Sequence, residues 1–189
     1  MKQKLTASLL ILLVILVSIS VVILPTFFTK GVSRVELKQD LELELILDNE
    51  HNIELIFFGY AGCRSVCTPR LEDLGKWYST LPKDVQRHLG LKFLDISMRD
   101  EKELPDSFAK AFHEKFEGVF LDKDIIRVYT KAFSVYFSKS LIDDTEIDHT
   151  SHLYLVKRST EGKQLRLIYT AYPYDFKQIK SDIQELIHE

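Results

Sequence analysis

The residues best suited to chemistry are the chain's two cysteines, Cys63 and Cys67, set apart by Arg64-Ser65-Val66 in a sequence of 189 residues. A bridge between them would close only a very short loop and add little stability, so the pair points to chemistry rather than to structure. A thiolate is both a nucleophile and a metal ligand, which leaves two kinds of chemistry open. Pro69 is tolerated only near a helix start, so a helix is predicted to begin between Ser65 and Thr68. Cys67 then lies at or just before a helix N-terminus, where the orphan N–H groups favour the thiolate, and Arg64 and Arg70 add positive charge.

The spacing separates these chemistries in part. Thioredoxin-type redox centres use Cys-x-x-Cys, whereas this pair has one more intervening residue. Residues four apart on a helix hold their Cβ atoms about 5–6 Å apart, while an unstrained disulfide wants roughly 3.5–4.5 Å. A metal ion spans the wider gap, although Cys63, if it lies in the loop, can adjust to either. Two thiolates cannot close a structural zinc site, which takes four N/S ligands. Cu(I) is selected by thiolate and accepts imidazole as a further donor.

A third donor would have to be a histidine. His51, His88, His113 and His188 fall in a turn, at a helix end, within a charged helix and at the C-terminus, mostly solvated positions. His149, in Asp148-His149-Thr150-Ser151-His152, follows an acidic loop over 141–148 and opens the strand that begins near Leu153. In a thioredoxin-like sheet the start of that strand faces the cysteine loop. A surface histidine in a polar loop is the plainer reading of His149, and His152 is a competing donor.

The elements that must position these residues follow from periodicity. Residues 31–40 read as a charged tether, and the strict alternation of 41–45 as a half-buried strand closed by Asp48-Asn49-Glu50. Ile53-Glu54-Leu55-Ile56-Phe57-Phe58 has the apolar density of a central strand and ends at Gly59, just before the cysteines. Leu71, Leu74, Trp77, Tyr78 and Leu81 recur at helical spacing, and a buried strand follows over 91–97. Phe108, Ala111, Phe112 and Phe116 predict one amphipathic helix, and Ile125, Ile126, Tyr129, Ala132, Phe133 and Tyr136 another. Strands over 153–156 and 165–169 flank the turn Glu161-Gly162-Lys163, and Phe176, Ile179, Ile183 and Leu186 mark a last helix. This order predicts an α/β fold, a mixed sheet flanked by helices, with the cysteines at the carboxyl end of the first core strand, where open α/β sheets place their ligand chemistry.

Ahead of this domain, residues 5–29 carry no charge. About 20 apolar residues cross a bilayer, so the stretch is long enough to span one. It exceeds the h-region of a cleaved signal peptide and no clear Ala-x-Ala site follows, which favours an uncleaved signal anchor. The division expected is a transmembrane segment over 1–30 and a folded domain over 31–189 outside the cytoplasm, because a short N-terminal flank stays inside. Without Lys2, Lys4 and Lys30 the domain keeps 22 basic against 28 acidic residues, a formal charge of −6. Such a domain has no basic stripe for phosphate backbones, which argues against nucleic acid as a partner.

At the residues quoted, the chain resembles the Sco/SenC family of membrane-anchored, thioredoxin-fold copper-binding proteins. The resemblance rests on Phe57-Phe58-Gly59-Tyr60 leading into Cys-x-x-x-Cys, and on Asp148-His149-Thr150 ahead of Tyr154-Leu155. It implies that Cys63, Cys67 and His149 hold a copper ion, Cu(I) or Cu(II). It further implies that the protein serves assembly of the copper centre of cytochrome c oxidase at subunit II, or another copper-accepting protein, from the outer side of the cytoplasmic membrane. This would make it a metallochaperone rather than an enzyme. The alternatives are a thiol–disulfide oxidoreductase, in which Cys63 and Cys67 are the catalytic pair, and a copper or redox sensor. Many members carry a proline after each cysteine; here Arg64 and Thr68 stand there. The family's Asp-Pro turn after the second core strand is represented by Asp95-Ile96-Ser97-Met98-Arg99-Asp100, which lacks the proline.

Overall fold

The computed structural model describes residues 33–43, 51–143, 146–160 and 162–189, together with 13–14 and 17–18. Apart from those last four residues, the apolar stretch over 5–29 lies outside the described residues. Among the described residues, no helix is long and apolar enough to cross a membrane. The chain divides into two units, Met1–Ser33 and Arg34–Glu189, and the second carries both cysteines.

Unit Arg34–Glu189 contains eight strands and five helices among its described residues: β1 (Arg34–Leu41), β2 (Ile53–Gly59), α1 (Cys67–Ser79), α2 (Lys83–His88), β3 (Leu89–Asp95), α3 (Leu104–Lys110), β4 (Phe116–Phe120), α4 (Lys123–Ala132), β5 (Phe137–Lys139), β6 (Ile147–His149), β7 (Leu153–Ser159), β8 (Gly162–Tyr169) and α5 (Phe176–His188). Six strands form one sheet in the order β1-β8-β7-β2-β3-β4, and β5 pairs with β6 in a separate hairpin. β2, β3 and β4 run parallel, whereas β7 and β8 pair antiparallel to their neighbours. This is the expected mixed sheet flanked by helices.

The parallel strands need helical crossovers, which α1 and α2 supply between β2 and β3, and α3 between β3 and β4. Every residue of β2 and of β3 is buried, as strands covered on both faces must be. On one face Leu55, Phe57 and Phe93 pack with Leu71 and Leu74 of α1 and with Ile179 and Ile183 of α5. On the other, Ile56, Phe58 and Leu94 pack with Ile126 and Tyr129 of α4. Asp175 starts α5 by accepting a hydrogen bond from Gln178 N at 3.0 Å, a side-chain N-cap.

Register decides which loops meet. Phe57 of β2 pairs with Leu153 of β7, and Leu153 with Tyr169 of β8. The segments after β2, before β7 and after β8 therefore share one end of the sheet.

Four expectations change. Residues 34–41, read mainly as tether, form edge strand β1: its side chains are largely exposed and charged, so its order comes from backbone bonds to β8, which composition does not reveal. Residues 44–45 of the strand expected there lie outside the described residues. The helix expected to run through Phe116 ends at Lys110, and Phe116 instead opens β4 beside β3. Helix α4 stops at Ala132, followed by Ser134 at φ 54°, so Tyr136 lies beyond it. The β5–β6 hairpin was not expected, because three-residue strands are too short to show a period.

Gly118 of β4 has no room for a side chain, since an added methyl would collide with the carbonyl of Pro105 in α3. Gly118→Ala is expected to cost about 2–3 kcal/mol, the scale of an overpacked core, read as a lower midpoint in urea unfolding.

Candidate metal centre

Cys63 and Cys67 are reduced and buried, with exposures of 1% and 0%. Cys67 is the first residue of α1, as the position of Pro69 requires, but no side chain caps this helix from the residue before it. Cys63 takes that place. Its carbonyl accepts from Thr68 N at 3.2 Å and from Thr68 Oγ1 at 2.8 Å, and its sulfur accepts from Cys67 N at 3.3 Å. The orphan N–H at the helix start therefore points at the sulfur of Cys63, not at that of Cys67. Threonine at position 68 supplies a second bond to the same carbonyl.

This changes which thiol ionises. Cys63 is held well below the ordinary thiol range, first by a hydrogen bond from the Cys67 thiol, with the backbone N–H groups of Cys67 and Val66 acting in the same direction against burial. The same bond, reinforced by burial, pushes Cys67 upward. The thiolate expected at Cys67 is thus at Cys63, because the two sulfurs share one proton between them.

The end of β2 makes this arrangement possible. A methyl group on Gly59 would stand 2.6 Å from Cys67 Sγ and 2.9 Å from the Phe93 ring. Gly62, at φ +92°, turns the chain back toward the helix. Asp95, 4% exposed at the end of β3, accepts from Ala61 N at 2.9 Å and Ser97 N at 2.7 Å. The aspartate after the second core strand thus fastens the cysteine loop through its backbone.

His149 arrives from another direction. The expectation that it opens the strand near Leu153 is overturned: it ends β6, opposite Phe137 of β5, and β7 begins only at Leu153. Its Nδ1 lies 3.0 Å from the Thr150 carbonyl, which can only accept, so Nδ1 carries the hydrogen and Nε2 offers its lone pair. Nε2 is 3.7 Å from Cys67 Sγ. One donor atom each from Cys63, Cys67 and His149 lies within 4.8 Å of the others, the group of this kind found among the described residues. A single ion at roughly 2.0–2.3 Å from each donor, lengths usual for nitrogen and sulfur, would need only small inward shifts of these atoms.

Tyr60 was not singled out from sequence. Its ring meets His149 edge to face at 6.1 Å, and its hydroxyl donates to Glu146, tying the cysteine loop to the hairpin that carries His149. Burial, and then that carboxylate, push the phenol far above its ordinary range, so it remains a donor. Its sequence signal was its place at the end of the Phe57-Phe58-Gly59-Tyr60 motif that leads into the cysteines. His152 stands outside the donor group; its Nδ1 is buried without a partner, and burial with the charge of Arg70 lowers its pKa. His113 was expected on a solvated helix but packs between Tyr78 and Phe116, at 4.8 and 5.2 Å. Exposed Arg64 and the more enclosed Arg70 both flank the pair.

A helix-flanked mixed sheet with a buried dithiol at the carboxyl end of a core strand, joined there by one imidazole, defines a thioredoxin-like protein with a three-donor site for a soft metal ion. The SCO1/SenC family profile matches residues 48–188, and the chain belongs to that family. A SCO2-like protein of Rickettsia felis is 28% identical over 122 residues, covering 62% of this chain and 58% of the relative, so the chain spans little more than half the length of that relative. The solution structure of apo Sco1 from Thermus thermophilus is similar with a TM-score of 0.62 at 26% identity, covering 84% of this chain and 95% of that one. Yeast Sco1 with copper bound is similar with a TM-score of 0.59 at 25% identity, over 73% and 77% of the two chains.

Replacing Asp95 with alanine leaves two backbone N–H groups without their carboxylate. Asp95→Ala is expected to cost about 3 kcal/mol in urea unfolding, with faster hydrogen exchange at Ala61, since buried donors bonded to a charged group lose most when it is removed.

Proposed function

We propose that this protein is a copper carrier, binding the ion through Cys63, Cys67 and His149 and passing it to the copper centre of cytochrome c oxidase, at subunit II or another copper-accepting protein. The observation that carries the reading is the convergence of two sulfurs and one imidazole nitrogen within 4.8 Å. The donor set is soft and has three members, which suits copper better than structural zinc. Membership of SCO1/SenC and likeness to copper-bound yeast Sco1 support the same ion.

Each part of the chain has a task in this reading. The N–H of Cys67 and the fixed tautomer of His149 keep two donor atoms aimed inward before any metal arrives. Burial of both sulfurs shields them from oxidants, and the hairpin brings the imidazole from a separate element, so it can withdraw during exchange with a partner's thiolates. Residues 1–30 anchor the protein as a single-pass transmembrane segment and hold the domain over 31–189 outside the cytoplasmic membrane; the uncharged run over 5–29 supports this.

A second reading is favoured by the ionised Cys63. As a thiol–disulfide reductant, the Cys63 thiolate would attack a target disulfide, forming a mixed disulfide and expelling one target thiolate. Cys67, losing its proton, would then displace the other and leave a Cys63–Cys67 disulfide. The two readings are compatible, since reduced target cysteines are those able to accept metal.

The test is Cu(I) titration of the detergent-solubilised, reduced full chain. Wild type is expected to bind one ion. His149→Ala should weaken binding at least about tenfold, the scale of losing one donor contact, while leaving thiol–disulfide turnover in place. An unchanged affinity and spectrum would remove His149 from the ligand set.

A further inference from the structure

Arg70 follows Cys67 by three residues on α1, so both side chains rise from one helical face. Its guanidinium folds back toward the helix start, where Nη1 donates to the carbonyl of Val66, the residue ahead of Cys67, at 3.2 Å. Cζ lies 4.4 Å from the centre of the Tyr172 ring. Tyr172 is itself fixed by donating to Asp73 at 2.6 Å. Nε of Arg70 is buried without a hydrogen-bond partner. The cation is therefore held by a neutral carbonyl and a ring face, and among the described residues no carboxylate forms an ion pair with it.

The bond to Val66 sets the guanidinium at the N-terminus of α1, beside the backbone of Cys67 and one turn along the helix from its side chain. A bound ion changes the local sum. Two thiolates and a neutral imidazole carry −2, so Cu(I) leaves the centre at −1 and Cu(II) leaves it neutral. Counting the guanidinium at the start of α1, the Cu(I) state becomes neutral and the Cu(II) state carries +1. Uncompensated charge in a poorly solvated site is costly, so the guanidinium stabilises the first state more than the second.

We infer that Arg70 is a positioning residue that selects Cu(I) over Cu(II) at this site by balancing the negative charge of the thiolate-ligated ion. The inference rests on the copper reading above and adds the oxidation state that the chain prefers. Tyr172 and Val66 hold the guanidinium in place without neutralising it, which is what a charge-balancing role requires.

The test compares anaerobic Cu(I) and Cu(II) affinities of the reduced full chain, by competition with chelators specific for each ion, for wild type, Arg70→Gln and Arg70→Lys. Arg70→Gln is expected to tighten Cu(II) binding about tenfold and leave Cu(I) binding near wild type, because the metal-free pair sharing one proton and the Cu(I) centre both carry −1 whereas the Cu(II) centre is neutral. A tenfold change in that ratio lowers the potential of the bound one-electron couple by about 59 mV. Arg70→Lys keeps the charge and should hold the ratio within about threefold of wild type. Equal losses for both ions in Arg70→Gln, an unchanged ratio, or a lysine variant as impaired as the glutamine variant would each overturn the assignment. Failure of wild type to bind either ion would instead overturn the copper reading.

Discussion

The bare Cα of Gly59 is the contact on which the site depends. Position 59 is the last residue of a strand buried on both faces, and the sulfur of Cys67 occupies the space where any other residue would carry a side chain. With that sulfur seated, the first turn of α1 is close to the strand end, and Cys63 falls in front of the helix N-terminus. A shift of the sulfur by the width of a methyl group would move the helix, its cap and the cation on its next turn together, because packed cores do not deform continuously.

Two fastenings determine what the dithiol meets. Asp95 joins the cysteine loop to the end of β3, and Tyr60 joins it to the hairpin through Glu146. The first uses backbone donors, so it constrains the loop whatever residues the loop contains. The second couples the loop to the element bearing the imidazole, and so links metal capture to the position of β6. The tip of that hairpin leaves Leu141 and Ile142 almost wholly exposed, in contrast to the buried pair it serves. A site assembled from a rigid strand–helix junction and a separate hairpin can hold an ion and still be opened by moving one element.

Electrostatics at the pair follow from position rather than from residue type. Two cysteines four apart are chemically alike, but one caps a helix while the other lies inside its first turn, and that difference moves their affinities for protons in opposite directions. The helix N-terminus acts here through one directed N–H, in the way helix starts bind anions generally. Local geometry, not the nominal placement of Cys67 nearest the helix, chooses the thiolate.

Much of this was legible in the sequence. Apolar density named β2 and the helix after it, Pro69 located the helix start, and the cysteine spacing with Asp148-His149-Thr150 marked the donors. Those signals are local: they depend on side-chain period, on proline sterics and on the donor chemistry of single residues. What failed was non-local. Edge strand β1 is held by bonds to β8, β4 by its place beside β3, and the β5–β6 hairpin by a register of three residues, none of which leaves a period in the chain. The choice of His149 over His152 came from the resemblance carried by Asp148-His149-Thr150 and not from spacing, and the structure brings His149 rather than His152 close to the two sulfurs. The sequence by itself determined which residue types stood ready at the end of a buried strand. Only the packed fold decided which sulfur ionises and how near the imidazole comes, because the first depends on which sulfur the helix N–H meets and the second is a distance between segments far apart in the chain.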